Sequence, residues 1–438
     1  MSISAVDPRV DQLAQPMSAH QKIAILVIVL LCMVDGLDVM AITFAAPAIK
    51  SLWGIDQAQV GLVLSSALLG MAAGSLFLAP LADIIGRRRL IFLSLTMMIA
   101  GTLWTATCHS VIELMWSRVF TGLGVGAMVA VISPMTAEYA NSRSRDFCQT
   151  MFGIGFPIGG LLGGVLAGTL LPTYGWTAIF YVASALGLLL LPVVWLYLPE
   201  PIAPMIARPK DNTLARVNAY LHRCGRPTIA ALPLPPATAR IAPLKALFAS
   251  GMAGVTLLIT AIYFMHVVTL FFVQSWAPSL VASLGFAPGQ AAKIAVFVNV
   301  GGIIGGTLLG ASSMRLGLKT LVISAMCGGA IVTALFSLLP PSFVLLAFGS
   351  AAMGFFLQAA IMGLYAVVAR TFPADMRATG TGFVIGVGRI GSAISPVMAG
   401  MLMTAGLARS DVAFVMAAPA LLAAMLLLMF RVRPPDTP

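Results

Sequence analysis

Four ionisable side chains stand where an apolar helix has no ordinary use for them. Lys22 and Lys50 bracket a first apolar stretch whose midpoint is residue 36, between Asp35 and Asp38. Arg118 lies inside a later stretch, and Arg389 lies four residues from the midpoint between Arg377 and Arg409, roughly 6 Å along a helix axis. A charged group inside a bilayer costs about 2.5–3.5 kcal/mol on insertion scales, so each of these asks for a reason. Asp35 and Asp38 are three residues apart, which puts them at neighbouring positions on one helical face. Two carboxylates crowded into a poorly solvated place resist ionising together, so the pair can hold and release a proton. Arg389 suits a carboxylate ligand, because its planar fork binds bidentately where lysine offers a point charge. The plainer alternative is a permanent ion-pair cluster that fixes helix packing, since two acids and two bases balance formally.

The elements that must carry these groups are membrane-spanning helices. Hydrophobic residues make up 60% of the 438 and charged residues only 9%, where a soluble domain carries about a quarter charged. The apolar residues lie in blocks such as Ile23 to Met33 and Ala178 to Leu198. About 20 such residues, rising 1.5 Å each, cross a hydrocarbon core of about 30 Å. Spans are expected near 22–48, 58–81, 89–108, 112–136, 147–171, 175–198, 251–278, 290–311, 319–339, 343–369, 379–404 and 411–430.

With that count both chain ends fall on one side. That side receives Arg9, Lys22, Arg87 to Arg89, Arg143, Arg145, Arg208 through Lys245, Arg315, Lys319, Arg370, Arg377, Arg431 and Arg433, with Lys50, Lys293 and Arg409 opposite. The positive-inside rule then puts both termini in the cytoplasm. The net charge of +11 is explained by topology, and nucleic acid is not needed as a partner. Residues 1–20 lack the basic start, short apolar core and cleavage site of a signal peptide and read as a cytoplasmic tail. Five cysteines stand singly with no CxxC pair, so neither a disulfide framework nor a metal site is expected.

One long polar interruption, 199–250, divides the spans six and six: bundles at 21–198 and 251–430, a linker between them and a cytoplasmic tail at 431–438. The bundles repeat at an offset near 231 residues. Ala79-Pro-Leu-Ala-Asp83-Ile-Ile-Gly86-Arg87-Arg88 falls opposite Gly310-Ala-Ser-Ser-Met314-Arg-Leu-Gly317-Leu-Lys319, and Glu138 to Arg145 falls opposite Arg370 to Arg377. Two parallel six-helix repeats with a ligand between them near the midplane form a recurring transporter plan. The same offset places His266 opposite Asp35, where a titratable imidazole suits proton relay or ligand binding, and a hydrogen-bonded packing role equally.

The loop Asp83-Ile-Ile-Gly86-Arg87-Arg88, the run Arg118-Val-Phe-Thr-Gly122-Leu-Gly-Val-Gly126 and the run Gly155-Phe-Pro157-Ile-Gly159-Gly160 resemble signatures of the major facilitator superfamily. Within it, Asp35-Gly36-Leu37-Asp38 and the stretch from Phe372 through Arg377, Gly380 and Gly382 to Gly388-Arg389-Ile-Gly391 resemble the aromatic acid:proton symporter family. The likeness covers about 20–430. Ala79 stands where that family's first loop usually has Gly, Ile84 where a basic residue follows the Asp, and Met314 where the second loop has its Asp.

The resemblance implies an all-α integral membrane protein of the major facilitator fold: twelve helices in two pseudo-symmetric six-helix bundles. It implies proton-coupled import of small aromatic carboxylates, benzoate-like or hydroxybenzoate-like, by alternating access. A symporter of another organic acid, or an exporter of the same superfamily, is the alternative. Asp35 and Asp38 would carry the proton. Arg389, Arg118 and His266 would hold the cargo, with Gln274 and Trp276 gripping its ring, although a Trp near a span end also serves as a membrane anchor. An inner gate would draw on Asp83, Gly86, Arg87, Arg88, Glu138, Arg145 and Arg377, with Asp83 facing the start of the eleventh span and Arg87 and Glu138 joined in a charge network. The expected setting is a bacterial inner membrane, and the expected form a monomer. No cofactor is expected: Gly386-Val-Gly388-Arg-Ile-Gly391 spells GxGxxG, yet follows no strand, and small residues for close helix contact explain it better. No Walker, HExxH or GxSxG motif points to an enzyme.

Overall fold

A chain inside hydrocarbon has to satisfy every backbone amide within itself, so each long apolar block becomes a helix. The computed structural model describes residues 7–207, 209, 212–233, 244–248, 251–373 and 376–430, with the side chains of residues 83, 146, 313–315, 377 and 378 outside that description. In chain order the helices are α1 (Pro8–Ala14), α2 (Ala19–Trp53), α3 (Gln57–Ala73), α4 (Ala82–Ile85), α5 (Arg87–Ala106), α6 (Val111–Tyr139), α7 (Arg145–Tyr174) and α8 (Ala178–Tyr197). They continue with α9 (Ile202–Ala207), α10 (Thr213–Arg223), α11 (Ala253–Ala282), α12 (Pro288–Leu316), α13 (Leu318–Phe336), α14 (Phe343–Thr371), α15 (Arg377–Thr404) and α16 (Arg409–Met429). Among the described residues 12 helices are long and apolar enough to cross a membrane: α2, α3 with the turns that extend it to Leu81, α5 to α8, and α11 to α16.

Polar caps set the ends of these helices. Ser18 and Gln21 exchange bonds of 3.3 and 2.9 Å at the start of α2, and Asp56 and Gln59 exchange bonds of 2.7 and 3.1 Å at the start of α3. Gly54, left-handed at φ 63°, turns the chain between them.

The two halves repeat one packing plan. In the first, α2 packs on α7 and α8, α3 on α6, and α5 on α6 and α8. In the second, α11 packs on α15 and α16, α12 on α14, and α13 on α14 and α16, which is the same plan with each helix replaced by its counterpart. Glycine makes the closest of these pairs possible. A methyl group added at Gly70, Gly74, Gly122 or Gly126 would lie 2.0–2.2 Å from a carbonyl oxygen across the α3–α6 contact, and one at Gly301, Gly305 or Gly354 would lie 1.8–2.1 Å from one across α12–α14.

The halves meet where α3 packs on α15, α7 on α12, and α2 on α11 and α12. The tight points of that seam lie toward the face opposite the chain ends. The Ala58 amide donates to Thr404 Oγ1 at 3.0 Å. A methyl at Gly61 would lie 2.5 Å from the Pro396 carbonyl oxygen, and one at Gly289 would lie 2.8 Å from the Pro172 ring. The state described is therefore closed on that face. Gly61→Val is expected to hold it ajar and slow transport at least tenfold, read as faster labelling of a cysteine placed at Ala58 by a membrane-impermeant maleimide. Unchanged labelling and rate would rule out this seam as a gate.

The segments outside the spans are more ordered than a polar tail and linker suggest. The tail forms α1 and lies on the α6–α7 turn, where Ser142 donates to the Leu13 carbonyl and Asn141 to the Gln15 carbonyl, each at 3.0 Å. Within 199–250, α9 buries Ile202, Met205 and Ile206 and α10 buries Val217, Tyr220 and Leu221, while Arg226 lies 3.6 Å from the Asp11 carboxylate. Short amphipathic helices among proline and alanine leave little trace beside spans of such length.

Candidate functional site

Asp38 sits at the meeting of α2, α5 and α6, and it is not free. The Arg118 guanidinium donates to both of its carboxylate oxygens, at 3.2 and 3.1 Å, and to its backbone carbonyl at 3.1 Å. Thr102 on α5 adds a bond of 2.6 Å. Both charged side chains are out of solvent, at 1% and 0% exposure, and the Phe180 ring lies 5.8 Å from the guanidinium carbon. Arg118 and Asp38 thus form a closed pair within the first half.

Asp35, one turn earlier on α2, has no such arrangement. It is 2% exposed and its Oδ1 is buried without a hydrogen-bond partner. It feels the charges of Asp38 and of Arg389 across the seam between the halves. Arg389 is part-buried on α15, and among the described residues its guanidinium makes no hydrogen bond or ion pair. The neighbouring Gly388 lets the Tyr263 ring of α11 press onto α15, since a methyl there would lie 2.1 Å from a ring carbon. Tyr263 in turn reaches the Tyr365 hydroxyl of α14 at 3.5 Å. Sequence reasoning missed both tyrosines; the run of small residues before Arg389 was the signal that something large packs there.

His266 is fully buried and directed at α14. Its Nε2 lies 3.0 Å from the Leu357 carbonyl, which can only accept, so Nε2 carries the hydrogen and Nδ1 is left as a buried acceptor without a partner. Trp276 is also fully buried and donates its indole N–H to the Pro396 carbonyl at 3.2 Å, which ties α11 to α15. Buried to that degree, it packs inside the bundle and does not stand at the outer surface as a membrane anchor would. Gln274, by contrast, lines a narrow space between the halves, bounded by Pro157 of α7, Leu270 and Val273 of α11, and Asn299 of α12, with Leu357 and Gln358 of α14. Phe156, next to Pro157, lays its backbone against Gly36, so this space is one residue along α7 from the contact beside Asp35. Asn299 and Gln358 carry no charge and fall in none of the motifs the sequence offered, so nothing in the sequence singled them out.

The expected gate residues gather on the face carrying the chain ends. Arg87 pairs with Glu138, both about one-fifth exposed. Gly86 takes φ 98°, a backbone open to glycine and strained for other residues. That turn lets the Glu200 carboxylate accept the Arg87 and Arg88 amides at 2.8 and 3.0 Å, an acid capping the N-terminus of α5. The Arg88 guanidinium lies 4.9 Å from the Trp195 ring centre and donates to its carbonyl, while Arg145 is exposed at the start of α7. The side chains of Asp83 and Arg377 lie outside the described residues.

A family model described as Major Facilitator Superfamily matches residues 28–311 and 259–438. The chain belongs to that superfamily. It is a membrane transporter and not an enzyme. As a superfamily member it is similar to the gallate transporter of Pseudomonas putida, 29% identical over 420 residues that cover 94% of this chain and 92% of that one. It is similar also to the 4-hydroxybenzoate transporter PcaK of the same organism, 29% identical over 416 residues that cover 93% and 92%. Its fold matches the partially occluded, inward-open xylose transporter XylE from E. coli with a TM-score of 0.71 over 94% of this chain and 99% of that one, at 16% identity.

Proposed function

We propose that this transporter imports small aromatic carboxylates together with protons, by alternating access between its two halves. The observation that carries the reading is the pair at the seam: among the described residues, a buried Asp35 oxygen without a partner and an Arg389 guanidinium without a hydrogen bond or ion pair, each within the other's field but unbonded. A permanent structural pair would close into bonds as Asp38 and Arg118 do. The open pair suits a cargo carboxylate at Arg389 and a proton at Asp35, both of which come and go. Relatives named for gallate and 4-hydroxybenzoate support the cargo class.

In the cycle, protonation of Asp35 and binding of the anion on the outside favour closing of the outer seam at Gly61 and Pro396, and both are released inside. Basic residues crowd the face that carries the chain ends, which supports cytoplasmic termini in a bacterial inner membrane. The Arg87–Glu138 pair, with Asp83 and Arg377, would close the inner mouth in the opposite state. The transporter acts as a monomer, each carrying its own seam.

Arg389→Lys tests the anion site. Losing a bidentate, charge-assisted contact is worth about 1.5–3 kcal/mol, so affinity for an aromatic carboxylate should fall at least tenfold. Affinity for the corresponding primary amide should hardly move. Equal carboxylate affinity in Arg389→Lys and wild type would refute the clamp.

A further inference from the structure

The space between the halves is lined by three carboxamides, Gln274, Asn299 and Gln358, each from a different helix of the second half. None of the three side chains makes a hydrogen bond among the described residues, although Asn299 is only 7% exposed and Gln274 and Gln358 are part-buried. Such groups are expensive inside a membrane protein unless something satisfies them, because hydrocarbon offers no partner. The packing around them makes room for them. Gly160 of α7 faces the Asn299 amide, where a methyl would lie 2.9 Å from its Oδ1, and Gly302 of α12 faces the Gln358 stem at 3.2 Å. The remaining lining is apolar: Pro157, Leu270, Val273, Val298 and Leu357, with Gly302 and Gly354. A second, adjoining space shares Gln274 and Asn299 and reaches Met40 and Phe44 on α2, so the amides face both halves.

We infer that Gln274, Asn299 and Gln358 form a subsite for ring hydroxyl groups, so that the preferred cargo is a hydroxylated aromatic acid and not an unsubstituted one. This rests on the aromatic-carboxylate reading above and adds the ring chemistry. Once the halves part around this narrow space, its apolar wall takes the faces of the ring, while the carboxylate is held at Arg389 on α15, which packs beside α11. A phenolic O–H can donate to an amide oxygen and accept from an amide N–H₂, so one hydroxyl satisfies two groups of this lining. Benzoate, by contrast, would displace water from these amides and offer them no partner in return. A site built to bond a hydroxyl penalises the analogue without one more strongly than an apolar site penalises an added hydroxyl.

The test is binding of benzoate, 3-hydroxybenzoate, 4-hydroxybenzoate and 3,4,5-trihydroxybenzoate to the purified full-length carrier, by displacement of labelled 4-hydroxybenzoate. Wild type is expected to prefer the best mono-hydroxylated acid over benzoate by about tenfold, the worth of one satisfied hydrogen bond at the strong end. In Asn299→Leu and Gln358→Leu that ratio should fall toward one. The ratio is taken within a single preparation, so it does not depend on how much of a variant folds. Benzoate binding as tightly as the hydroxylated acids, or an unchanged ratio in both variants, would overturn this inference and leave the cargo class standing. If no member of the series bound at all, the cargo reading would fall and this inference with it.

Discussion

Replacing Asp38 with asparagine should cost the protein about 3–5 kcal/mol of stability, the penalty for leaving one member of a buried ion pair uncompensated. Asparagine keeps the shape and can still accept from Thr102, so the loss comes from Arg118, whose charge would then stand at 0% exposure without its counter-ion. Arg118→Gln should be as damaging for the mirror reason. The double variant Asp38→Asn/Arg118→Gln should recover much of the loss, since neither charge is then left without its counter-ion. Thermal unfolding of the four proteins in one detergent measures the cycle. Single variants within about 0.5 kcal/mol of wild type would show the pair to be energetically idle.

Asp35→Asn should do the reverse: keep the fold and lose the coupling. Its Oδ1 has no partner to lose, so a neutral amide leaves no charge stranded and the melting temperature should not fall. Asparagine imitates a carboxyl that never gives up its proton. A carrier fixed in that form can still exchange labelled cargo for unlabelled cargo across the membrane, but it cannot use a pH gradient. With one proton per anion, each pH unit supports up to about tenfold accumulation, or 1.36 kcal/mol, and all of that should vanish while exchange persists. Accumulation at the wild-type level in Asp35→Asn would remove Asp35 from the proton path.

That two acids three residues apart take such different places shows where the sequence stops being legible. Positions i and i+3 lie on one face, but they differ by about 60° around the axis and 4.5 Å along it. In a bundle that is enough to turn Asp38 to α5 and α6 while Asp35 stays by the seam with α15. Spacing on a single helix cannot tell which neighbour fills each direction. For the same reason Arg118 was legible as a deep charge but not as the partner of Asp38, which depends on α6 packing beside α2. The spans themselves were plain, because about 20 apolar residues in a row have few other uses. Their ends were less so: α2 runs through Lys22 and Lys50 to Trp53, as long stems let lysines reach polar surroundings.

His266 and Trp276 teach a related lesson. Both stand at positions that read as functional from the repeat and the motif, and both direct a ring N–H to a backbone carbonyl of a neighbouring helix, Leu357 and Pro396, although His266 keeps its Nδ1 without a partner among the described residues. The residues that keep their polar groups unspent at the seam are Asp35, Arg389, Gln274, Asn299 and Gln358. In a membrane interior an unspent polar group is the better guide to a ligand than a titratable one already bonded.

The most direct test of the account is uptake of labelled 4-hydroxybenzoate into proteoliposomes holding the wild-type carrier, with and without an inward proton gradient. The account predicts accumulation of about tenfold per pH unit that collapses when an uncoupler is added. Uptake that equilibrates to the same level with and without the gradient would contradict it.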